Sequence, residues 1–371
     1  MAESTRLVDL VQERIDTFLL ERTTELEAIA PELASFGAFA HGFLSGGKRF
    51  RALFCYWGWQ AGTAVEDFDR VQETQNADLP GIVLAATALE VFHAAALVHD
   101  DIMDNSDTRR GQASAHRQFE SMHVSGGWAG RGSDFGSSSA LLLGDLLLGW
   151  SDELFDRGGR LLGSRSAALA GRDEFNRMRT EVTAGQYLDI LEEASWVVHP
   201  DNELLSRAHR VIVYKSAKYS VEAPLVIGAA LAGAGAPQLA ALRAFGLPLG
   251  IAFQLRDDLL GVFGDPAVTG KPAGDDLREG KRTVLIALAR AELPEPAREL
   301  IDELLGDAEL DGQQIEMIRS AIRDSGAADR VERIIEHNVE LARAAIAGAP
   351  ITAAARAQLL ELAQTVTRRS A

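Results

Sequence analysis

The chain has 371 residues, of which 47% are hydrophobic, and its 54 acidic side chains outnumber 37 basic ones to give a formal net charge of −17. This balance argues against a nucleic-acid-binding protein, which usually presents a basic surface. The single cysteine, Cys55, cannot form a disulfide within the chain and is expected in the core, which favours a reducing, cytoplasmic location. No signal pattern is present at the first residues, and apolar runs such as 82–98 are shorter than a membrane span, so no transmembrane helix is expected.

Apolar residues recur at three- and four-residue spacing along most of the chain, and alanine and leucine are abundant. This pattern predicts an all-α protein, a single-domain helical bundle, and no convincing alternating strand interrupts it. The predicted helices cover 5–29, 47–61, 81–104, 138–156, 171–192, 202–231, 237–262, 281–291, 310–323, 326–347 and 351–368.

Two glycine-rich segments interrupt the helical pattern. The segment 121–137 combines glycines with several serines, and we expect it to form a flexible surface insertion. The segment 264–280 carries Lys271, Asp275 and Asp276 among its glycines and prolines. A charged loop of this kind is a candidate lid over a binding site.

One apolar helix ends in a cluster of aspartates, Asp100, Asp101 and Asp104. Asp100 and Asp104 are four residues apart, so they share a helix face at a separation of about 6 Å. Negative charges at the C-terminal end oppose the helix dipole and repel each other, so the cluster costs stability unless a cation compensates. Carboxylates at this spacing suit Mg²⁺, which binds a few carboxylates together with substrate phosphate oxygens. Taken alone, the cluster could equally be a solvated acidic helix end.

A second apolar helix ends in the same way, with adjacent aspartates at Asp257 and Asp258 and another at Asp265 after a glycine. Two such helix ends facing each other across a bundle could hold a diphosphate between metal ions. The repetition weakens the interpretation of either cluster as an unrelated acidic turn, because each would be unfavourable without a ligand.

Basic residues elsewhere could hold a second diphosphate without metal. Lys48 and Arg51 share a helix face near a predicted N-terminus, where anions are favoured. Arg109 and Arg110 directly follow the first aspartate cluster, and arginine can grip phosphate with two parallel hydrogen bonds. His93 lies seven residues before that cluster, close to the same helix face. Each of these alone is more often a surface charge or a satisfied core residue, and their association with two metal-type clusters favours a binding role.

The ordered motifs resemble those of the polyprenyl synthetases, the trans-isoprenyl diphosphate synthase family, from about residue 46 to residue 282. The resemblance implies an all-α fold around a deep central cavity, a homodimer, and three Mg²⁺ ions. The matching motifs are Gly46-Gly47-Lys48-Arg49-Phe50-Arg51, Glu90-Val91-Phe92-His93, Asp100 to Asp104, Arg109-Arg110-Gly111, Gly185-Gln186, Lys215-Ser216, Phe253-Gln254, Asp257-Asp258 and Gly280-Lys281-Arg282.

The resemblance also implies a role for each matched residue. The implied metal ligands are Asp100, Asp101, Asp104, Asp257 and Asp258. The implied catalytic residues are these aspartates together with Arg109 and Lys215. Implied contacts to isopentenyl diphosphate are Lys48, Arg51, His93 and Arg110. Implied contacts to the allylic diphosphate are Arg109, Lys215, Ser216, Gln254, Lys271 and Lys281.

Two positions depart from the family pattern. Ser216 stands where threonine is common and keeps the hydroxyl. Gly261 stands where the second motif usually has its third aspartate, so a carboxylate is missing from that helix face. We expect Asp265 or Asp275 to assist through water, with Asp257 still reaching a metal ion.

The resemblance implies a trans-prenyltransferase that condenses isopentenyl diphosphate with an allylic diphosphate. A class I terpene cyclase would share the first cluster but would not need the second, metal-free diphosphate site. A regulatory subunit of a heteromeric prenyl synthase typically loses the aspartates, whereas this chain keeps five of six. The basic residues and the retained aspartates therefore favour the transferase.

Product length can be predicted from the helix before Asp100. Ala95 and Ala96 lie on one flank, about 6–7.5 Å along the axis, and Phe92 lies about 12 Å along it. In short-chain members of the resembled family an aromatic residue closes the cavity at the level of the alanines, whereas alanine leaves it open. The sequence therefore predicts a product longer than farnesyl diphosphate, namely geranylgeranyl diphosphate, with Phe92 near the cavity floor. The alternative is that Phe92 packs against a neighbouring helix and other helices set the length.

Overall fold

The structure is a computed structural model that describes residues 2–63, 68–109, 111–265 and 274–367, with only the backbone given for residues 2 and 68–76. Most of the described residues are helical, which confirms the predicted all-α class. The α-helices are α1 (Ala2–Ile29), α2 (Ala34–Leu44), α3 (Phe50–Gly62), α4 (Phe68–Met103), α5 (Ala115–Ser125), α6 (Gly132–Leu161), α7 (Arg165–Ser195), α8 (Asp201–Val211), α9 (Ala223–Leu231), α10 (Ala236–Phe263), α11 (Asp275–Arg278), α12 (Val284–Glu292), α13 (Glu295–Leu304), α14 (Gly312–Asp324), α15 (Ala327–Ala347) and α16 (Ala353–Thr367). The other elements are 3-10 turns at Pro31–Leu33 and Trp196–Val198, a π-helix at Ile212–Glu222, and the strands β1 (Thr108–Arg109) and β2 (Gln112–Ala113).

The prediction of a flexible insertion at 121–137 is wrong. Helix α5 extends to Ser125 and α6 begins at Gly132, so only a short turn separates them. Glycine here permits close packing, because a Cβ atom on Gly136 would lie 2.4 Å from the carbonyl oxygen of His116 on α5. The glycines and serines therefore form a helix–helix contact, which composition alone cannot distinguish from a loop.

Residues Met1–Asp173 and Pro224–Gly235 form one compact unit, called the first unit below. Its central helix is α4, which packs against α6 and α3. Helix α9 contacts α3 at backbone distance, since a Cβ atom on Gly228 would lie 1.8 Å from the carbonyl oxygen of Cys55. Cys55 is fully buried, as predicted, and burial raises the pKa of its thiol to about 12.

Residues Glu174–Ala223 and Ala236–Ala371 form the second unit. Helix α10 is its central element and packs against α15 and the π-helix. The core of this unit consists of aliphatic side chains from α10, α12, α14 and α15, including Leu255, Leu285 and Ile318. The division into two compact units does not test the prediction of a single domain, which stays a prediction.

Among the described residues, two helical segments, Ala77–Met103 and Ala236–Phe263, are long and apolar enough to cross a membrane by length and composition alone. In the first, 83% of the apolar window is buried inside the protein, and in the second 44% is buried. Core helices of water-soluble proteins pass the same test. The expected absence of a transmembrane helix therefore stays a prediction.

Candidate active site

The first aspartate cluster lies where α4 stops. Asn105 adopts a left-handed conformation with φ 51°, a role at helix ends that Asn fills more readily than most residues. The backbone N–H of Ser106 then donates to the carbonyl oxygen of Asp101 at 3.0 Å, and that of Asn105 donates to Ile102 at 3.4 Å. These bonds cap the helix, so the backbone of the cluster is fixed by the chain itself.

Arg109 compensates part of the negative charge in this cluster. The Asp101 side chain is fully buried, and Arg109 Nε donates to its Oδ1 at 2.8 Å while Nη2 makes a second, shorter contact. Nη2 also lies 3.7 Å from Oδ2 of Asp100. A buried carboxylate requires such a partner, because an isolated buried charge is very unfavourable. The sequence analysis assigned Arg109 to substrate alone and missed this pairing.

A short hairpin positions Arg109, although no strand was predicted. Thr108 pairs with Ala113 and Arg109 with Gln112 in antiparallel register. The strands are two residues each, too short to show the alternation that identifies a strand in a sequence. Arg110, predicted to contact isopentenyl diphosphate, lies outside the described residues.

The basic motif at the start of α3 combines a buried structural arginine with an exposed lysine and a partly buried arginine. Arg49 is buried at φ 50° and donates to Gln12 on α1 at 2.6 Å and to the carbonyl oxygen of Leu44. Its Nη1 lies 3.5 Å from Glu90 on α4. Lys48, by contrast, is exposed, and Arg51 is partly buried in the first turn of α3. The structure thus separates an anchoring residue from the two residues predicted to bind an anion.

Glu90 brings the start of α3 beside the face of α4 that carries His93. Its carboxylate accepts a hydrogen bond from the backbone N–H of Ala52 at 3.0 Å. His93 lies three residues further along α4, on the same face, and is partly buried. Three of the residues predicted to contact isopentenyl diphosphate, Lys48, Arg51 and His93, therefore belong to one region of the first unit.

Lys215 and Ser216 lie on the π-helix, a rare element that is often found at functional sites. Gly185 on α7 permits this segment to approach closely, because a Cβ atom there would lie 2.3 Å from the backbone nitrogen of Lys215. The Lys215 ammonium forms a short ion pair with Asp189, and Lys218 pairs with Glu181 at 2.7 Å. The Gly185 motif thus has a packing role that the sequence alone did not reveal.

The second aspartate cluster lies near the end of α10. Asp258 is 5% exposed, and its Oδ1 accepts a bond from Gln254 Nε2 at 2.8 Å. Its Oδ2 is buried without a hydrogen-bond partner among the described residues. Burial raises the pKa of Asp258 to about 8, and the charges of Asp276 and Asp257 act in the same direction, against the opposing effects of Gln254 and Lys281.

Gly261 faces a carboxylate that the sequence analysis did not assign. A Cβ atom on Gly261 would lie 1.8 Å from Oδ2 of Asp276, so the Asp276 side chain occupies the space of a residue 261 side chain. The expectation that Asp265 or Asp275 assists the second cluster stays a prediction, and Asp276 is a further candidate. The signal that could have found it is a second acidic residue directly after Asp275 in the candidate lid segment.

Lys281 follows the short helix α11. Its Nζ lies 3.8 Å from Asp276 Oδ1 and 2.5 Å from Glu279 Oε2. Lys271 lies outside the described residues, as does most of the candidate lid, 266–273. The role of that segment as a lid stays a prediction.

The acidic groups fit a divalent cation that arrives together with a phosphate ligand. Within the described part of the chain, no three His, Cys, Asp or Glu side chains are assembled into a metal site of their own. Mg²⁺ often binds only one or two carboxylates and completes its shell with water and substrate phosphate oxygens. The buried Oδ2 of Asp258 is an oxygen that such a cation would compensate.

The predicted chain-length residues lie on α4 in the interior of the first unit. Phe92 and Ala95 are buried, whereas Ala96 keeps partial exposure. Ala96 is therefore the alanine at which a larger side chain meets the least resistance from packing.

The helical fold and its two acidic helix ends define the class of this protein as an isoprenoid synthase fold. The sequence pattern of the polyprenyl synthetases matches residues 35–322. The chain belongs to the polyprenyl synthetase family, as its motifs predicted.

Relatives of known name have a similar length and sequence. Geranylfarnesyl diphosphate synthase of Aeropyrum pernix is 32% identical over 335 residues, covering 90% of this chain and 93% of the relative. Geranylgeranyl diphosphate synthase of Mycobacterium tuberculosis is 30% identical over 325 residues, covering 88% of this chain and 81% of the relative. The crystal structure of geranylgeranyl pyrophosphate synthase from Corynebacterium glutamicum, complexed with isoprenyl diphosphate and magnesium, has a TM-score of 0.90 and 38% identity and covers 98% of this chain and 99% of that chain.

Proposed function

We propose that this chain is a magnesium-dependent trans-prenyltransferase that condenses isopentenyl diphosphate with an allylic diphosphate. The observation that carries the proposal is the presence, in one polyprenyl synthetase chain, of two buried acidic helix ends and a separate basic region around Lys48. Such a division suits two anionic substrates, of which one binds through metal ions and the other through basic side chains.

The allylic diphosphate is the substrate assigned to the aspartates. Mg²⁺, when bound, neutralises the diphosphate and makes it a better leaving group. Asp100, Asp104 and Asp257 would hold the cations, and Arg109, Lys215 and Lys281 would add positive charge around the phosphate oxygens. Groups that are held in place before the reaction would stabilise the charge that develops as the carbon–oxygen bond breaks.

Isopentenyl diphosphate is assigned to the basic region of the first unit. Lys48, Arg51 and His93 would bind its diphosphate, with Arg110 as a further predicted contact. The carbon–carbon double bond then attacks the allylic cation, and a proton leaves the adduct for the departing diphosphate. The products are a prenyl diphosphate five carbons longer and inorganic diphosphate. Water must be excluded, because it would capture the cation.

The product proposed is geranylgeranyl diphosphate. The small side chains of Ala95 and Ala96 support a cavity that stays open beyond farnesyl length, and Phe92 would limit it. The names of the similar proteins, geranylgeranyl and geranylfarnesyl diphosphate synthases, support the same range. We also propose three Mg²⁺ ions, a deep central cavity, a homodimer and a cytoplasmic location, all from the family resemblance and the single buried thiol.

One incubation tests the proposal against its alternatives. The purified chain is given Mg²⁺, labelled isopentenyl diphosphate and, separately, the dimethylallyl, geranyl and farnesyl primers, and the products are identified. Geranylgeranyl diphosphate is the expected product. A cyclic hydrocarbon would indicate a terpene cyclase, and absence of turnover until a partner chain is added would indicate a regulatory subunit. Farnesyl diphosphate as the sole end product would overturn the open-cavity argument.

A further inference from the structure

The two acidic helix ends differ by one carboxylate. The first has aspartates at positions i, i+1 and i+4, namely Asp100, Asp101 and Asp104, whereas the second has them only at i and i+1. The position i+4 of the second cluster is Gly261, one helical turn after Asp257 and on the same face of α10. A side chain from this position would point in the same direction as the Asp257 carboxylate.

The Asp276 carboxylate occupies the start of that missing side chain. A Cβ atom on Gly261 would lie 1.8 Å from Oδ2, 2.4 Å from Cγ and 3.0 Å from Oδ1 of Asp276. A Cβ atom at 261 would require the Asp276 carboxylate to move, so glycine at this position leaves room for the carboxylate where it stands. A third carboxylate is therefore present beside α10, supplied by α11 and not by α10 itself.

The position of Asp276 is held by the fold around α11. Leu277, the next residue, is 1% exposed and belongs to the core of the second unit. Arg278 donates from Nη2 to the carbonyl oxygen of Leu310 at 3.1 Å. The backbone N–H of Lys281 donates to the Asp276 carbonyl oxygen at 3.1 Å, which closes the turn after the helix. These contacts fix where the Asp276 side chain begins.

An independent observation indicates a cation at this place. Asp258 is 5% exposed, and its Oδ2 has no hydrogen-bond partner among the described residues. The nearby Lys281 lies 3.8 Å from Asp276 and closer, at 2.5 Å, to Glu279, so its one charge is shared between two acids. A buried carboxylate oxygen without a hydrogen-bond partner requires compensation, which a cation beside Asp258 would supply.

We propose that Asp276 replaces the absent third aspartate of the second cluster and, with Asp257, helps to hold a divalent cation that bridges to the allylic diphosphate. This inference deepens the proposed function and rests on it. We expect the cation to bind together with a diphosphate, because Mg²⁺ is usually held by one or two carboxylates and completes its shell with substrate phosphate oxygens.

The test measures metal-dependent binding of labelled inorganic pyrophosphate by equilibrium dialysis, a readout that needs no catalysis. The quantity compared is the Mg²⁺ concentration at half-maximal binding. Asp276→Asn, which keeps the shape and removes the charge, is expected to raise that concentration about tenfold or more. Asp307→Asn, at an exposed acid in the turn after α13, is the control and is expected to leave it within about twofold.

A relocation experiment makes the assignment specific. Gly261→Asp alone is expected to destabilise the protein, because its Cβ atom would overlap the Asp276 carboxylate. Combined with Asp276→Ala, which removes the three overlapping atoms, the same substitution is expected to restore binding relative to Asp276→Ala alone. A carboxylate at either place, but not at both, would then serve the cation.

Several outcomes would overturn the inference. A wild-type Mg²⁺ dependence in Asp276→Asn would do so directly. Weaker pyrophosphate binding with an unchanged Mg²⁺ midpoint would assign Asp276 to the orientation of Lys281, and an equal loss in Asp307→Asn would indicate a general charge effect. Failure of the proposed function is distinguishable, since wild-type protein would then bind pyrophosphate with Mg²⁺ and still form no prenyl product.

Discussion

The two aspartate clusters end similar apolar helices, but their negative charge is balanced in different ways. At the end of α4, Asp101 is buried against Arg109, which is only eight residues away and lies on the following hairpin. Near the end of α10, Asp258 is buried with one amide donor, and Asp276 adds another negative charge beside it. The buried aspartate of the first cluster is paired with an arginine, whereas the buried aspartate of the second has one amide donor and a further acid beside it. Similar sequence motifs can therefore differ in how their charge is balanced.

The largest effect is expected on catalysis. Asp100→Ala or Asp104→Ala should lower kcat by about 10²–10³-fold or more, because a group that stabilises the leaving diphosphate is lost. Product assays measure the loss, and circular dichroism should show unchanged helical content. Asp107→Ala, at an exposed acid that pairs with Arg117, is the control and should remain active. A fully active Asp100→Ala variant would remove the basis for a metal site at the end of α4.

Within the first unit, substitutions can distinguish the basic residues that bind an anion from the one that stabilises the fold. Lys48→Ala or Arg51→Ala should raise the Michaelis constant for isopentenyl diphosphate by about 10–150-fold, the equivalent of about 1.5–3 kcal/mol for a charge-assisted contact. The constant for the allylic primer should change much less. Arg49→Met should instead destabilise the fold by about 3 kcal/mol, because it leaves Glu90 buried without its charge partner. Equal effects of Lys48→Ala on both substrates would contradict the separation of two diphosphate sites.

A pair of matched substitutions tests the difference in charge balance between the two clusters. In metal-free protein, Asp101→Asn should lower the free energy of unfolding by about 3 kcal/mol, because Arg109 loses its buried partner. Above about pH 8, where folded Asp258 is ionised, Asp258→Asn should cost nothing and should add about 1 kcal/mol, since it removes a buried charge whose Oδ2 has no hydrogen-bond partner among the described residues. Urea unfolding in the presence of a chelator measures both. Equal destabilisation by the two substitutions would refute the contrast.

The dependence of stability on pH gives a further test, because the raised pKa of Asp258 fixes the direction of its contribution. The pKa of Asp258 rises from 3.8 to about 8 on folding, so the folded protein keeps a proton that the unfolded chain releases between these values. The stability that this residue contributes is complete below the lower value and is lost as pH rises toward the upper one. The contribution of Asp258 in metal-free protein should therefore fall between about pH 4 and about pH 8, so stability over this range should fall more, or rise less, in wild type than in Asp258→Asn. The same pH dependence in both proteins would exclude this contribution of Asp258.

The smallest effect is expected on product length. Substitutions on α4 are expected to change it, whereas a control substitution on α10 is not. Ala96→Phe should shorten the main product by one isoprene unit, and Phe92→Ala should lengthen it. Ala95→Phe should also shorten the product but should cost about 1–3 kcal/mol of stability, because Ala95 is fully buried. Phe245→Ala removes an equally buried aromatic ring from α10 and should leave product length unchanged. Chromatography of the prenyl alcohols after phosphatase treatment distinguishes these outcomes.

The helices and the aspartate clusters could be predicted because both are local in sequence. Apolar spacing predicts a helix wherever it occurs, and Asp100 and Asp257 follow directly from such spacing. The Arg109 pairing was missed because it depends on a hairpin with strands of two residues. The contact between Gly261 and Asp276 could not be predicted, since the two residues meet only in the folded chain.

A glycine-rich composition led to a wrong prediction of a flexible segment where glycine instead allows close packing. The segment 121–137 has the glycine and serine content of a linker, yet most of it is helical, with Gly136 against His116. The π-helix was likewise not predicted, because its residues fit an ordinary helical pattern. At Gly185 the reason is again tertiary, since the glycine matters only when another backbone lies against it.

The contact between α3 and α9 has a consequence for how the chain folds during synthesis. Gly228 packs against Cys55, yet the first unit receives this segment, Pro224–Gly235, only after fifty residues of the second unit, Glu174–Ala223, have been made. A ribosome releases the N-terminal part first, so the first unit must wait with an apolar groove on α3 open. Closing contacts across so long a stretch of chain is slow, because loop-closure entropy is lost before the contact forms. The nascent first unit is therefore the stage at which a chaperone would be most needed, and a substitution at Gly228 would act on folding yield before it acts on catalysis.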